Sequence, residues 1–238
     1  MVLGSRGRGF TSAVLGPVAR LLVRLGVSPD AVTVAGTVAV SVVALALFPQ
    51  GHLVVGALVV GVIVLTDSID GLMARQVGRT SQFGAFLDST MDRISDSAIF
   101  AGLVLYFVNG MNGMDDGWRM PGIVAALACL VLGGLVSYAR ARAEGLDFTA
   151  KVGIAERADR LILALVATLA VGLGAPAAVL VIALCLLALA SLYTVGQRAA
   201  TVYRQATARD LAEAAARDRA SHDPAPHDPA SHDAEGRE

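Results

Sequence analysis

Apolar residues run along the chain in six stretches separated by short polar breaks, the pattern of repeated membrane crossings. Val27, Ser28, Pro29 and Asp30 read as a helix entry, and the first stretch runs from about Ala31 to Phe48 before Pro49, Gln50 and Gly51 turn the chain. Its length as a helix is about 27 Å, just enough to cross. A second stretch starts near Leu53, a third runs from about Ser81 to Val108, and Asn109 to Met120 is a polar loop. The fourth covers about Gly122 to Tyr138, the fifth Leu161 to Leu173 and the sixth Pro176 to Val195. The fifth is short unless Ala158 to Arg160 belong to the same helix. Ahead of these, Val14, Val18, Leu21, Leu22 and Leu25 recur at helical spacing with Arg20 and Arg24 opposite, which suits an amphipathic helix lying in the membrane interface. The same arginines interrupt the apolar core that a signal peptide would need.

The pattern predicts an all-α polytopic membrane protein with six transmembrane helices preceded by an N-terminal interfacial helix. It divides into residues 1–30, the N-terminus with that helix; 31–200, the membrane domain; and 201–238, a tail. From about Tyr203 the tail is first Ala/Arg-rich, a continuing helix. It then becomes SHDPAPHDPASHDAEGRE, in which His222, His227 and His232 each precede an aspartate. Proline and low hydrophobicity favour disorder over a metal site there.

Composition agrees. Of 238 residues, 55% are hydrophobic and 16% charged, outside the usage of soluble domains. The net charge of −1 says little, because the charges are sorted by position. Six crossings put both termini on one side, and that side holds Arg75, Arg79, Arg140, Arg142, Lys151, Arg157, Arg160 and Arg198. The opposite loops hold Arg119, beside Asp115 and Asp116. The positive-inside rule makes the crowded side cytoplasmic. No nucleic-acid partner is indicated, and Cys129 and Cys185, each inside an apolar run, read as buried small hydrophobes without a disulfide.

Four aspartates, Asp67, Asp70, Asp88 and Asp92, fall in or beside the second and third stretches. A carboxylate at hydrocarbon depth costs roughly 2.5–3.5 kcal/mol, so four of them call for a function. On helices, Asp67 and Asp70 lie about 60° apart and Asp88 and Asp92 about 40° apart, so each pair projects from one face. The polar turn between them, Gln76 to Gln82 with Gly78, lets the helices return antiparallel. Gly71, Ala74, Gly84 and Ala85 let the backbones approach. Four convergent carboxylates form an oxygen-only site for a hard divalent ion, Mg²⁺ or Mn²⁺, with capacity for two. Asp96 extends the i,i+4 series and is expected as an internal ion-pair partner or a support to the ligands; Glu144 and Glu156 are expected as arginine partners.

Asp67, Asp70, Gly71, Ala74, Arg75, Gly84, Asp88 and Asp92 also fit, without gap or mismatch, DxxDGxxAR, eight residues, GxxxDxxxD. On these residues the chain resembles the CDP-alcohol phosphotransferases. The resemblance implies that a CDP-linked lipid donates its phosphatidyl group to an alcohol and releases CMP, with no covalent enzyme intermediate. It implies that Asp67, Asp70 and Asp88 hold metal, while Asp92 accepts the proton of the attacking hydroxyl and also touches the second ion. Asp30, Ala31, Val32, Thr33, Gly71, Arg75 and Ser81 are implied as CDP-lipid contacts, and a homodimer is the family expectation. The chemistry is physically apt, since bound cations neutralise the charge that accumulates on a leaving phosphate.

The acceptor is read from SYARARAEGLDFTAKVGIAERADR, which brings Arg140, Arg142, Lys151, Arg157 and Arg160 to the side of the acids. A neutral alcohol needs no such cluster; a phosphorylated one does. Plain topology determinants are the competing reading. GAFLDSTMDRISD, SYARARAE and GIAERADR further resemble the branch of the family that makes phosphatidylinositol phosphate in actinobacteria, from CDP-diacylglycerol and inositol 1-phosphate. That likeness, from about Gly26 to Arg160, implies that Arg140, Arg157 and Arg160 bind the inositol phosphate, together with Arg142 and Lys151. Two alternatives stay open: glycerol 3-phosphate as acceptor, giving phosphatidylglycerophosphate, and a cation transporter that uses the aspartates as a pathway.

Overall fold

A computed structural model describes residues 24–66, 81–110, 114–154 and 156–222, together with 17, 20 and 21. Among these residues the chain is helical, with no strand. Six helices follow one another: α1 (Pro29–Leu47), α2 (Leu53–Thr66), α3 (Gln82–Asn109), α4 (Asp116–Glu144), α5 (Arg157–Gly172) and α6 (Ala177–His222). α1, α4 and the Ala177–Arg219 part of α6 are long and apolar enough to cross a membrane, and α2 is a shorter apolar helix. The interfacial helix expected around Phe10 to Leu25 falls largely outside the described residues, as do Asp67, Asp70, Gly71, Arg75, Arg79 and the tail beyond His222.

The helix ends follow local chemistry. Ser28 caps α1, its hydroxyl accepting from the Ala31 amide at 3.2 Å, with Pro29 in the first turn where its missing N–H costs nothing. Ser81 caps α3 in the same way, accepting from the Gly84 amide at 2.8 Å. Gly110 ends α3 in the left-handed region, at φ 59°. α4 begins earlier than the apolar pattern predicts, because Asp115 accepts from the Gly117 amide at 2.9 Å and starts a helix within the polar loop. α5 begins at Arg157 and so includes Ala158 to Arg160, which resolves the shortness of the fifth stretch. α6 runs on for 46 residues. At 1.5 Å per residue that is about 69 Å, roughly twice a bilayer's apolar thickness, so the helix is longer than one crossing needs.

Packing closes the helices into a ring: α1 lies on α3, α3 on α4, α4 on α6, α6 on α5, α5 on α2, and α2 on α1. One fully buried core joins all six, through Ala44, Val60, Leu103, Ala126, Ala164 and Leu184. Between apolar helices in lipid the drive is van der Waals contact and not hydrophobic burial, so small residues set the approach. At Gly102 of α3 a methyl group would lie 2.5 Å from the Ala44 carbonyl oxygen of α1. The parallel pair is tied again at its far end, where the Asn109 amide donates to the Pro49 carbonyl at 2.8 Å.

This arrangement separates two ends. At one end lie the starts of α1, α3 and α5, the end of α4 and the middle of α6, with Arg93, Arg140, Arg157, Arg160 and Arg198. At the other, Arg119 pairs with Asp116 at 3.2 Å and donates to the Val108 carbonyl at 2.6 Å, so its charge closes the C-terminus of α3.

Candidate functional site

The site is built on the first four turns of α3. Asp88 and Asp92 follow each other by one turn and share a face; Asp88 is exposed and the Asp92 side chain is 17% exposed. Asp96 continues the stripe inward and is buried. Across the middle of the ring, the first turn of α5 supplies its partners. Arg157 Nη1 lies 2.8 Å from Asp92 Oδ1, and Arg157 Nε donates to Asp96 Oδ1 at 3.0 Å. Arg160 Nη2 lies 3.4 Å from Asp96 Oδ2. Arg93 flanks Asp92 at 3.6 Å. Asp96 is therefore an internal ion-pair partner, as expected from its place in the i,i+4 series.

These contacts are not energetically alike. The Arg160 side chain is 2% exposed, so its charge is out of water and depends on Asp96. Arg157 is a quarter exposed and reaches the surface between the two carboxylates. The Arg140–Glu144 pair, at 3.0 Å between half-exposed side chains, contributes at most about 0.5 kcal/mol. Its value is in holding the Arg140 guanidinium on the last turn of α4.

The remaining predicted residues divide by location. The start of α1 comes to the start of α3: a methyl group at Gly84 would lie 3.6 Å from Asp30 Oδ1, an ordinary contact distance, and 3.1 Å from Ser81 Oγ, so Asp30, Ser81 and Gly84 meet at one corner. Ala31 is exposed there, while Val32 is half-buried and Thr33 buried, with its hydroxyl donating to the Pro29 carbonyl at 3.2 Å. Arg142 is exposed, but two residues on from Arg140 it projects to another side of α4. Lys151 is exposed on the segment linking α4 to α5.

The described part of the acid motif fits a divalent ion in donor chemistry: Asp88 and Asp92 offer carboxylate oxygens on one face. Among the described residues no three His, Cys, Asp or Glu side chains form a cage. Asp67 and Asp70, the other two acids of the motif, stand in the sequence after α2, outside the described residues.

The model of the CDP-alcohol phosphatidyltransferase family matches residues 26–190, all six helices up to the first turns of α6. The chain belongs to this family. Among similar members, the phosphatidylinositol phosphate synthase of Streptomyces avermitilis is 43% identical over 90% of this chain and 88% of the relative. That of Cutibacterium acnes is 46% identical over 83% and 96%. Two crystal structures of Mycobacterium tuberculosis phosphatidylinositol phosphate synthase share the fold, each with TM-score 0.73. One, in complex with manganese and citrate, is 42% identical and covers 79% of this chain and 88% of that one. The other, with CDP-DAG bound, is 41% identical and covers 80% and 94%. Family membership places the chain among transferases and excludes the transporter reading.

In this member of the CDP-alcohol phosphatidyltransferases one cation near the site does more than the topology charge that the sequence alone suggests. Arg198 of α6 is buried, its Nε donating to the Val152 carbonyl at 2.9 Å and its Nη1 to the Val136 carbonyl. It ties α6, the end of α4 and the α4–α5 segment together. The available signal was its position one turn after Thr194 at the end of an apolar run, where a purely topological arginine would face water.

Proposed function

We propose that this protein transfers the phosphatidyl group of CDP-diacylglycerol to inositol 1-phosphate, giving phosphatidylinositol phosphate and CMP, at the cytoplasmic face of the cell membrane. The observation that carries the assignment is the 2.8 Å contact between Arg157 and Asp92. It joins the acidic motif on α3 to the basic residues that follow α4, so a liponucleotide at the first and a phosphorylated alcohol at the second are neighbours. The relatives' shared activity agrees with this pairing of substrates.

The proposed roles follow position. Asp67, Asp70, Asp88 and Asp92 hold Mg²⁺ or Mn²⁺, two ions by donor count, and the bound cation neutralises charge on the pyrophosphate being split. Asp30, Ala31, Val32, Thr33, Gly71, Arg75 and Ser81 surround the nucleotide. Arg157, Arg140 and Lys151 meet the acceptor phosphate, with Arg142 at the rim. Arg160, out of water, supports Arg157 through their common partner Asp96. An inositol hydroxyl attacks the lipid-bearing phosphorus, a new P–O bond forms, and the bridging P–O bond breaks with its electrons leaving on CMP. The hydroxyl proton passes to the Asp92 carboxylate.

We read all six helices as crossings. Their alternation in direction supports this, and so does the sorting of arginines between the two ends, which orients the site inward. The direct test is CMP release from CDP-diacylglycerol and Mg²⁺ with a panel of acceptors. Inositol 1-phosphate is expected to support turnover, with free inositol at least about tenfold poorer because it lacks the charge-assisted phosphate contact, and glycerol 3-phosphate poorer because it lacks the ring hydroxyls. Preference for glycerol 3-phosphate would replace this reading by phosphatidylglycerophosphate synthesis.

A further inference from the structure

Between α4 and α5, residues 148–154 have no regular structure, yet their backbone is held at three heights on one face of α6. The Ile154 amide donates to the Thr194 hydroxyl at 3.3 Å, and Gly153, at φ 143°, leaves no room for a side chain against Thr194. The Val152 carbonyl accepts from Arg198. Farther out, Gln205 takes both backbone groups of Thr149: its Oε1 accepts from the Thr149 amide at 3.0 Å and its Nε2 donates to the Thr149 carbonyl at 2.7 Å. Residues 194, 198 and 205 are spaced by four and seven, which puts them in one stripe along the helix. Between the outer and middle attachments Ala150 is buried and Lys151 is exposed, so the pinned backbone fixes which way the lysine faces.

We propose that Gln205 is a positioning residue for the acceptor half of the reaction. Through Thr149 it fastens the strap carrying Lys151 and leading into Arg157, so that these cations are already in place when a phosphorylated alcohol arrives. An extended segment without sheet partners has unpaired amides and carbonyls, and one glutamine amide satisfies a donor and an acceptor on the same residue as a neighbouring strand would. Pre-ordering lowers the cost of binding the acceptor and leaves the CDP-lipid side, built on α1 and α3, untouched. The proposal rests on the assignment of a phosphorylated acceptor to this segment.

The test compares full-length wild type, Gln205→Ala and Gln205→Glu, which keeps the acceptor but loses the donor, with Thr207→Ala as control. The Thr207 hydroxyl bonds only to its own helix, at the Tyr203 carbonyl. Hydrogen exchange of residues 146–154 is measured without substrates, and KM is measured for inositol 1-phosphate and for CDP-diacylglycerol. Both Gln205 variants are expected to exchange faster through the strap by about tenfold and to raise the acceptor KM about fivefold, with the CDP-lipid KM within about twofold and Thr207→Ala like wild type. Unchanged exchange overturns the proposal, and so does a loosened strap with an unchanged acceptor KM. Wild-type protein that uses no phosphorylated alcohol would refute the underlying assignment instead, and that result is distinguished because it appears before any variant is compared.

Discussion

Asp92 and Asp96 sit one turn apart on α3 and share Arg157, yet they answer to different demands. Asp92 lies where the acid motif meets the basic segment, is partly open to solvent, and is the residue proposed above as the proton acceptor. Replacing it with asparagine keeps the shape and removes the proton acceptor. Turnover is expected to fall by about 10²–10⁴-fold while CDP-lipid binding persists, as checked by CMP release alongside a direct binding assay. Full activity in Asp92→Asn would remove it as the base. Asp96 is buried against Arg160, whose side chain has almost no contact with water. Asp96→Ala strands that guanidinium and is expected to cost about 3–5 kcal/mol, visible in thermal unfolding in detergent, whereas Asp88→Ala at an exposed position costs far less. At this scale the sequence was informative about the acids, because helical spacing alone puts Asp88, Asp92 and Asp96 on one stripe. It was less informative about the cations. Arg140, Arg157, Arg160 and Arg198 look alike as letters, and only the ring of helices separates a surface-reaching Arg157 from a sequestered Arg160 and a loop-holding Arg198.

Helix ends illustrate where periodicity stops being a guide. The apolar pattern marks where lipid-facing residues begin, and the helix itself begins a turn or more earlier at α4, where Asp115 caps it, and at α5, which starts at Arg157 with no side-chain cap. Asp115 starts α4 inside a stretch whose glycine, asparagine and aspartate content reads as loop. Arg157 and Arg160 belong to α5 although charge at the edge of an apolar run reads as its end. Closeness of packing was legible only in general terms, since small residues predict approach without naming the partner. Gly102 against Ala44 gives a test. An alanine there gains about 1 kcal/mol of helix propensity, but its methyl group would sit 2.5 Å from a backbone oxygen, and prising α1 from α3 costs about 1–3 kcal/mol. Gly102→Ala is therefore expected to lower thermal stability, and a rise would mean that the pair is not held as closely as described.

At the scale of the molecule, the ring brings together residues that the sequence keeps more than sixty positions apart. Asp92 on α3 and Arg157 on α5 meet across the centre although their helices are not principal neighbours in the ring. That meeting could not be read from spacing, because it depends on the order in which six helices close. The segregation of charge between the two ends was readable, and it agrees with a site that takes a water-soluble acceptor from one side. Chelation of divalent cations is expected to abolish CMP release, and Mg²⁺ or Mn²⁺ to restore it; turnover that survives chelation would contradict the role given to the acids.

The central claim is that the α3 acids and the α5 arginines form one site for two substrates. Arg157→Lys tests it most directly, since a lysine keeps a cation beside Asp92 and Asp96 but loses the planar fork that grips a phosphate. Steady-state kinetics with both substrates varied is expected to show KM for inositol 1-phosphate rising about tenfold while KM for CDP-diacylglycerol stays within about twofold. An equal rise for both substrates, or none for the acceptor, would contradict it.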